Sequence, residues 1–166
     1  MNIEPETSDH AAMRALGRVP SGLFVLAAGR GTEAVATLVS FVQQVSIDPP
    51  ILALALRPDR TAAEVIAREK RFVLNVLHAG DKSLLRAFAK ASATGPQAFA
   101  HVPSRTLAGG GAVFLEACAF LECELTGVVD VGGDHVLFVG KVVGGETLGD
   151  PAAKPTVHLR QDGSRY

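Results

Sequence analysis

Cysteine is scarce in this sequence, and where it occurs excludes two chemistries. The 166-residue chain has two, Cys118 and Cys123. Five positions apart, they would point to opposite faces of an unbroken strand. That opposes a disulfide between them and matches no zinc-ligand spacing. The histidines His10, His78, His101, His135 and His158 are scattered with no ligand spacing either, so no metal site is expected. An excess of charge is also lacking. The formal net charge is −1 and no Lys/Arg cluster stands out, which argues against electrostatic capture of nucleic acid. No apolar run approaches the roughly 20 residues of a membrane span. The opening MNIEPETSDHAAMRALG is polar and acidic, unlike a signal peptide, and a cytoplasmic protein is expected. There is no Ser-His-Asp order, no Walker-type loop and no GxGxxG; the glycines of GGGAV and VVGGE are not followed by a helical pattern and read as turn glycines. With no internal repeat and no low-complexity linker, residues 1–166 read as one domain. At 48% hydrophobic and 20% charged residues, it is long enough to bury a core.

What is present is alternation and punctuation. Ser8 or Asp9 can cap a short helix to about Leu16, which GRVPSG breaks. Leu23 to Ala28 reads as a strand, followed by a Gly-Arg-Gly turn and a second strand reaching Ile47. Asp48-Pro49-Pro50 stops that strand, since proline lacks an N–H donor and biases the residue before it. Ile51 to Leu56 is apolar on both faces and is expected to be buried on both sides. In TAAEVIAREK, Thr61 and Glu64 stand at capping-box spacing, predicting a helix. RFVLNVLH returns to strand, and KSLLRAFAK predicts a second short helix with Leu84, Leu85 and Phe88 on one side. Residues 91–111 read as loop with one short strand near Val102 to Leu107. In FLECELTGVV, Leu121, Cys123 and Leu125 alternate with Glu122, Glu124 and Thr126, giving a dry face and a wet one. GGD supplies a hairpin turn, HVLFVGKVVGGE runs back, and a last strand is expected within Thr156 to Leu159. The predicted fold is mainly β with short peripheral helices, an antiparallel β-barrel.

Three places combine groups that could bind a ligand. In RPDRTAAEVI, a helix capped at Thr61 would present unpaired first-turn N–H groups beside Arg57 and Arg60, a constellation suited to an anion such as a phosphate. The plainer reading is a capped helix with solvated arginines, and Lys90, closing FAK at a helix end, is either a second phosphate partner or a charge favouring the helix dipole. In SFVQQVS, alternation puts Phe41, Gln43 and Val45 on one face and Ser40, Val42, Gln44 and Ser46 on the other. Apolar wall and polar handles suit a flat heteroaromatic ring; a subunit interface or a satisfied polar pair in the barrel fits equally. In GGDHVLF, His135 follows the hairpin turn on the face of Leu137 and Val139, as a ligand contact or as a surface histidine holding the turn.

Taken in order, SGLFVLAA, SFVQQVSIDPPILALAL, RTAAEVI, RFVLNVL, LLRAFAK, FLECEL, GDHVLFVGKVV and TVHLRQDGSRY resemble the flavin reductase-like family, whose fold is an FMN-binding split barrel. The resemblance covers about Arg14 to Tyr166, and its Val-Gln-Gln-Val-Ser form resembles the branch that includes the reductase modules of diflavin flavoproteins. It implies FMN as cofactor, with FAD as the alternative, and NAD(P)H as co-substrate. It places Leu38, Val39, Ser40 and Phe41 near the flavin ring edge and ribityl chain, largely through backbone groups, with Gln43, Gln44 and Ser46 as pocket or dimer contacts. Arg60 and Thr61, helped by Arg57 and Lys90, fall where the family binds the FMN phosphate. His135 falls where a histidine approaches the nicotinamide, and Tyr166 where it would cover the pocket. A homodimer with flavin near its interface is implied, delivering reduced flavin or electrons to a flavin-dependent oxygenase or another acceptor. The competing functions are an FMN-binding electron-transfer or storage module without NAD(P)H activity, and a related split barrel carrying haem. Two departures from the family pattern stand out. Val39 occupies a position where relatives often carry a hydroxyl, and Asp59 with Arg60 partly replaces a Ser or Thr in the phosphate turn. Asp59 is expected to pair with Arg57 or to cap the helix.

Overall fold

The computed structural model describes residues 8–89 and 92–163. Helix α1 (Ser8–Gly17) leads into the two-residue strand β1 (Ser21–Gly22), then β2 (Phe24–Ala28), β3 (Val35–Val39), β4 (Val42–Ser46) and β5 (Ile51–Leu56). Helix α2 (Thr61–Glu69), strand β6 (Arg71–Val76) and helix α3 (Ser83–Phe88) follow. Short strands β7 (Ala93–Thr94), β8 (Ser104–Thr106) and β9 (Ala112–Phe114) precede the long β10 (Ala119–Asp130) and β11 (Val136–Thr147), and β12 (Val157–His158) closes the order. The capping of α1 by Ser8 or Asp9 lies outside the described side chains.

Eight strands form one antiparallel sheet in the order β4-β5-β11-β10-β6-β2-β3-β7. The sheet curls: Leu54 of β5 shares a buried cluster with Leu26 of β2 and Val39 of β3, although those strands lie far apart in the sheet order. Phe72, Cys123 and Phe138 fill the space between, and α2 covers one flank with Ala62, Ala63, Val65 and Ile66. A sheet whose distant strands share one interior is a split barrel, with the helices outside it. Asn75, whose amide side chain is fully buried, ties the wall together. It donates to the carbonyls of Val25 (3.2 Å) and Ala112 (3.0 Å) and accepts from the Phe114 N–H (2.8 Å).

The β10/β11 hairpin follows the alternation of its sequence. Cys123 is wholly buried, and burial pushes its thiol up to about 12. Glu122 and Glu124 face the other way, and Arg71 of β6 bonds both, the Glu122 contact at 3.2 Å. Cys118 and Cys123 are both free thiols.

Several local expectations are corrected. The strand predicted to run through to Ile47 is broken at Ser40–Phe41 into β3 and β4, because the Val42 N–H turns back onto the Ser40 carbonyl at 2.9 Å. A short 3-10 turn, Gly31–Glu33, also precedes β3. Strand β5 buries Leu52, Leu54 and Leu56, whereas Ile51, Ala53 and Ala55 on its outer face are only half-buried. Thr61 does not cap α2: it is the first helical residue, and Arg60 occupies the cap position with no side-chain cap bond. The segment read as loop also holds the short strand β7 and a 3-10 turn at Pro96–Phe99.

Candidate functional site

The break between β3 and β4 creates the first element of the site. No glycine or proline marks it, yet it buries Ser40 completely and leaves its hydroxyl without a hydrogen-bond partner among the described residues. An unpaired buried hydroxyl costs roughly 1–3 kcal/mol, so a partner brought by a ligand would be stabilising. Val39 directs its side chain into the core, and Leu38 packs half-buried against the second apolar cluster. Only backbone groups of these two could meet a ligand's polar edge. Strand β7 pairs with β3 only at Val35 and Ala36, so the outer edge of β3 from Thr37 onward lacks a strand neighbour among the described residues. Thr37 and Ser92 hydroxyls meet there at 3.1 Å.

The second element is aromatic. The Ala55 N–H donates to the Phe41 carbonyl at 2.9 Å, aligning Phe41 with β5, while Leu137 of β11 pairs with Ala55 on the far side. The Phe41 ring meets the His135 ring edge to face, centroids 5.6 Å apart at 73°. His135 lies just before β11, where Val136 pairs with Leu56; its side chain is 24% exposed against 76% for that of Asp134. Its Nδ1 lies 2.8 Å from an Asp134 oxygen. A carboxylate only accepts, so Nδ1 carries the proton and Nε2 is left for a ligand. That hydrogen bond is the main reason the Asp134 carboxyl is held below its ordinary range, with a smaller contribution from the charge of Arg57.

The third element is cationic. Arg57 is paired with Asp59 at 3.1 Å, and that hydrogen bond lowers the carboxyl and raises the guanidinium. The pairing neutralises the carboxylate that would repel an anion and leaves Arg60, at the start of α2, with no carboxylate partner among the described residues. The first-turn N–H groups of Thr61 and Ala62 have no intrahelical partners. Residues 57–61 adjoin the end of β5, and Asp134 lies within electrostatic reach of Arg57, so the cationic turn and the aromatic pair belong to one region.

Gln43 and Gln44 are exposed and bond only to nearby backbone, at 3.3 Å to Gln44 O and 3.0 Å to Ser46 O respectively. Their polarity needs no buried partner within this chain. Ser46, half-buried, ends β4 at a register shift against β5. Lys90 and Tyr166 lie outside the described residues. Two neighbours escaped the sequence reading. Asp134 could have been found from its place beside His135 in GDH. Arg160 could not: its guanidinium lies 4.9 Å from the centre of the Phe41 ring, a contact between residues far apart in sequence.

The sequence matches the model of the flavin reductase like domain over residues 16–164. The chain belongs to the flavin reductase-like family. Among curated proteins, it is 32% identical over 154 residues to diflavin flavoprotein A 1 of Synechocystis sp., a match covering 92% of this chain and 26% of that protein. The chain thus spans about a quarter of the length of that relative. Among solved structures, the Streptomyces globisporus NADH:FAD oxidoreductase SgcE6, in complex with NAD and FAD fragments, superposes with a TM-score of 0.78 at 26% identity, covering 92% of this chain and 89% of that one. The styrene monooxygenase flavin reductase of Pseudomonas putida gives a TM-score of 0.72 at 26% identity, covering 92% and 93% respectively. This family member therefore carries the flavin reductase split barrel.

Proposed function

We propose that this flavin reductase-like chain is an NAD(P)H-dependent flavin reductase that takes FMN, with FAD as the alternative. The observation that carries this reading is the buried, unpartnered Ser40 hydroxyl beside the Phe41–His135 pair. A polar-edged aromatic ring laid against Phe41 would reach the Ser40 hydroxyl, which is sealed from solvent here, only through a shift of the groups that cover it, and would then supply its missing partner. The open edge of β3 offers backbone groups of Leu38 and Val39 to the same ring. Arg60 and the first-turn N–H groups of Thr61 and Ala62 would hold the mononucleotide's phosphate, with the helix dipole adding to the attraction.

Bound flavin supplies the acceptor for the electron pair of the reduced nicotinamide, so no side chain of the protein has to act as acid, base or nucleophile. The work of the chain is positional. His135, held by Asp134 through Nδ1, offers Nε2 to the nicotinamide carboxamide. Phe41 supports the imidazole at its edge and limits water on that side. Such positioning converts an encounter of two ligands into reaction within one complex. The SgcE6 complex with NAD and FAD fragments, on a similar fold, supports the same pair of ligands here.

A homodimer in the cytoplasm, passing reduced flavin to a flavin-dependent oxygenase or another acceptor, completes the reading. Support for the dimer comes from the outer face of β5 and β11, where Ala53, Ala55, Leu137 and Val139 are left half-buried, and from Val45 and Ile47, 57% and 86% exposed. A monomeric mass by light scattering would remove the dimer. The activity is tested by following the reduced-nicotinamide absorbance when protein is mixed with FMN or FAD and NADH or NADPH. Flavin-dependent loss of that absorbance supports the proposal; retained flavin with no nucleotide oxidation points instead to an electron-transfer or storage module.

A further inference from the structure

Several arginines of this chain hold carboxylates. Arg57 holds Asp59, Arg68 holds Glu33 and Glu69, Arg71 holds Glu122 and Glu124, and Arg105 reaches Glu146. Arg160 differs. Among the described residues it has no carboxylate partner; its one hydrogen bond runs from Nη2 to the Leu16 carbonyl at 3.3 Å. Its flat face rests on Phe41, the ring that touches His135.

That placement is fixed from behind. The Gly163 N–H donates to the Met13 carbonyl at 2.6 Å. A Cβ added at Gly17 would stand 2.7 Å from the Asp162 Cα, so the final segment sits against α1 as closely as glycine allows. A guanidinium stacked on an aromatic ring uses its face there and keeps its in-plane N–H donors for an oxyanion. It is also weakly hydrated, so little solvation opposes the exchange of water for phosphate.

We propose that Arg160 anchors the diphosphate of the pyridine nucleotide. The assignment rests on the reading of His135 as the nicotinamide contact. From His135, the contacts lead across Phe41 to a cation whose donors are unclaimed by a carboxylate among the described residues. The flavin phosphate is assigned to Arg60, at the start of α2, so the two anions have separate cations.

The test uses the full chain: loaded with FMN, it is titrated with NAD+, NADP+ and nicotinamide riboside, the last lacking phosphate; free of flavin, it is titrated with FMN and FAD. Arg160→Gln is expected to weaken NAD+ and NADP+ alike by roughly tenfold to a hundredfold, the range for charge-assisted phosphate contacts. Affinity for the riboside, for FMN and for FAD is expected to stay as in the wild type, and Arg160→Lys to recover part of the dinucleotide affinity. Unchanged NAD+ affinity overturns the assignment, as does a wild type that binds neither dinucleotide. A loss confined to NADP+ would move the contact to the 2′-phosphate, and a loss confined to FAD would move it to the flavin; an equal loss of the riboside would make Arg160 structural. Each of these also overturns it. The reductase reading is judged separately: a wild type that binds NAD+ through Arg160 yet never oxidises NADH sinks that reading and leaves this one intact.

Discussion

Phe41 and His135 meet edge to face, with ring centroids 5.6 Å apart, and this contact joins the break after β3 to the start of β11. Because Asp134 fixes the other side of the imidazole at 2.8 Å, His135 is held at two points. His135→Ala should therefore slow nicotinamide-dependent flavin reduction by roughly a hundredfold, the scale of a lost positioning contact, while leaving FMN affinity nearly unchanged. Asp134→Asn should show a smaller loss in the same direction. Parallel titrations of FMN and steady-state rates check this, and an equal fall in both quantities for His135→Ala would make the residue structural.

The phosphate assignment makes its own demand. Charge-assisted contacts to a phosphate are worth on the order of 1.5–3 kcal/mol each. Arg60→Ala combined with Thr61→Ala should weaken FMN at least tenfold, whereas riboflavin, which has no phosphate, should bind the variant and the wild type alike. Fluorescence titration with both flavins distinguishes the outcomes. Unchanged FMN affinity would remove the phosphate from this helix start.

Ser40 predicts an uncommon pairing of effects. Its buried hydroxyl has no partner among the described residues, so Ser40→Ala should leave the flavin-free protein as stable as the wild type or more so, by up to roughly 1–3 kcal/mol. The same change should weaken FMN binding and shrink the stabilisation that added FMN provides. Denaturant unfolding with and without FMN measures both. Lower stability without flavin, together with full FMN affinity, would show that the hydroxyl serves the fold alone.

Cys123 gives a pH signature of the core. Burial raises its thiol from an ordinary 9.0 to about 12, so the folded state holds a proton that the unfolded chain releases earlier. Its contribution to stability is complete below the unfolded value and is lost as pH climbs from about 9 toward 12. Unfolding midpoints should fall across that window in the wild type and fall less in Cys123→Ala. Thiol reagents should reach Cys123 only after unfolding.

Much of the fold was legible because alternation and turn chemistry are local. The dry and wet faces of β10, the hairpin before His135, the Pro49-Pro50 stop and the helix from Thr61 all follow from neighbours a few residues away. The β3–β4 break was not, since Ser40 and Phe41 carry no turn signature and the chain bends there through one backbone bond, Val42 N–H to Ser40 O. The same distance problem hid Arg160, which reaches Phe41 only after the closing segment has folded onto α1. Gln43 and Gln44 show the limit of reading a strand without its neighbours. Read among apolar residues they suggested buried polarity, but β4 is an edge strand and both are exposed.

The most direct measurement is a crystal structure of the protein with FMN. The account predicts the phosphate within hydrogen-bond distance of Arg60 and the N–H groups of Thr61 and Ala62, with the ring system against Phe41 and a polar edge on the Ser40 hydroxyl. Flavin density elsewhere, or a phosphate held by other groups while the start of α2 carries only solvent, would contradict it.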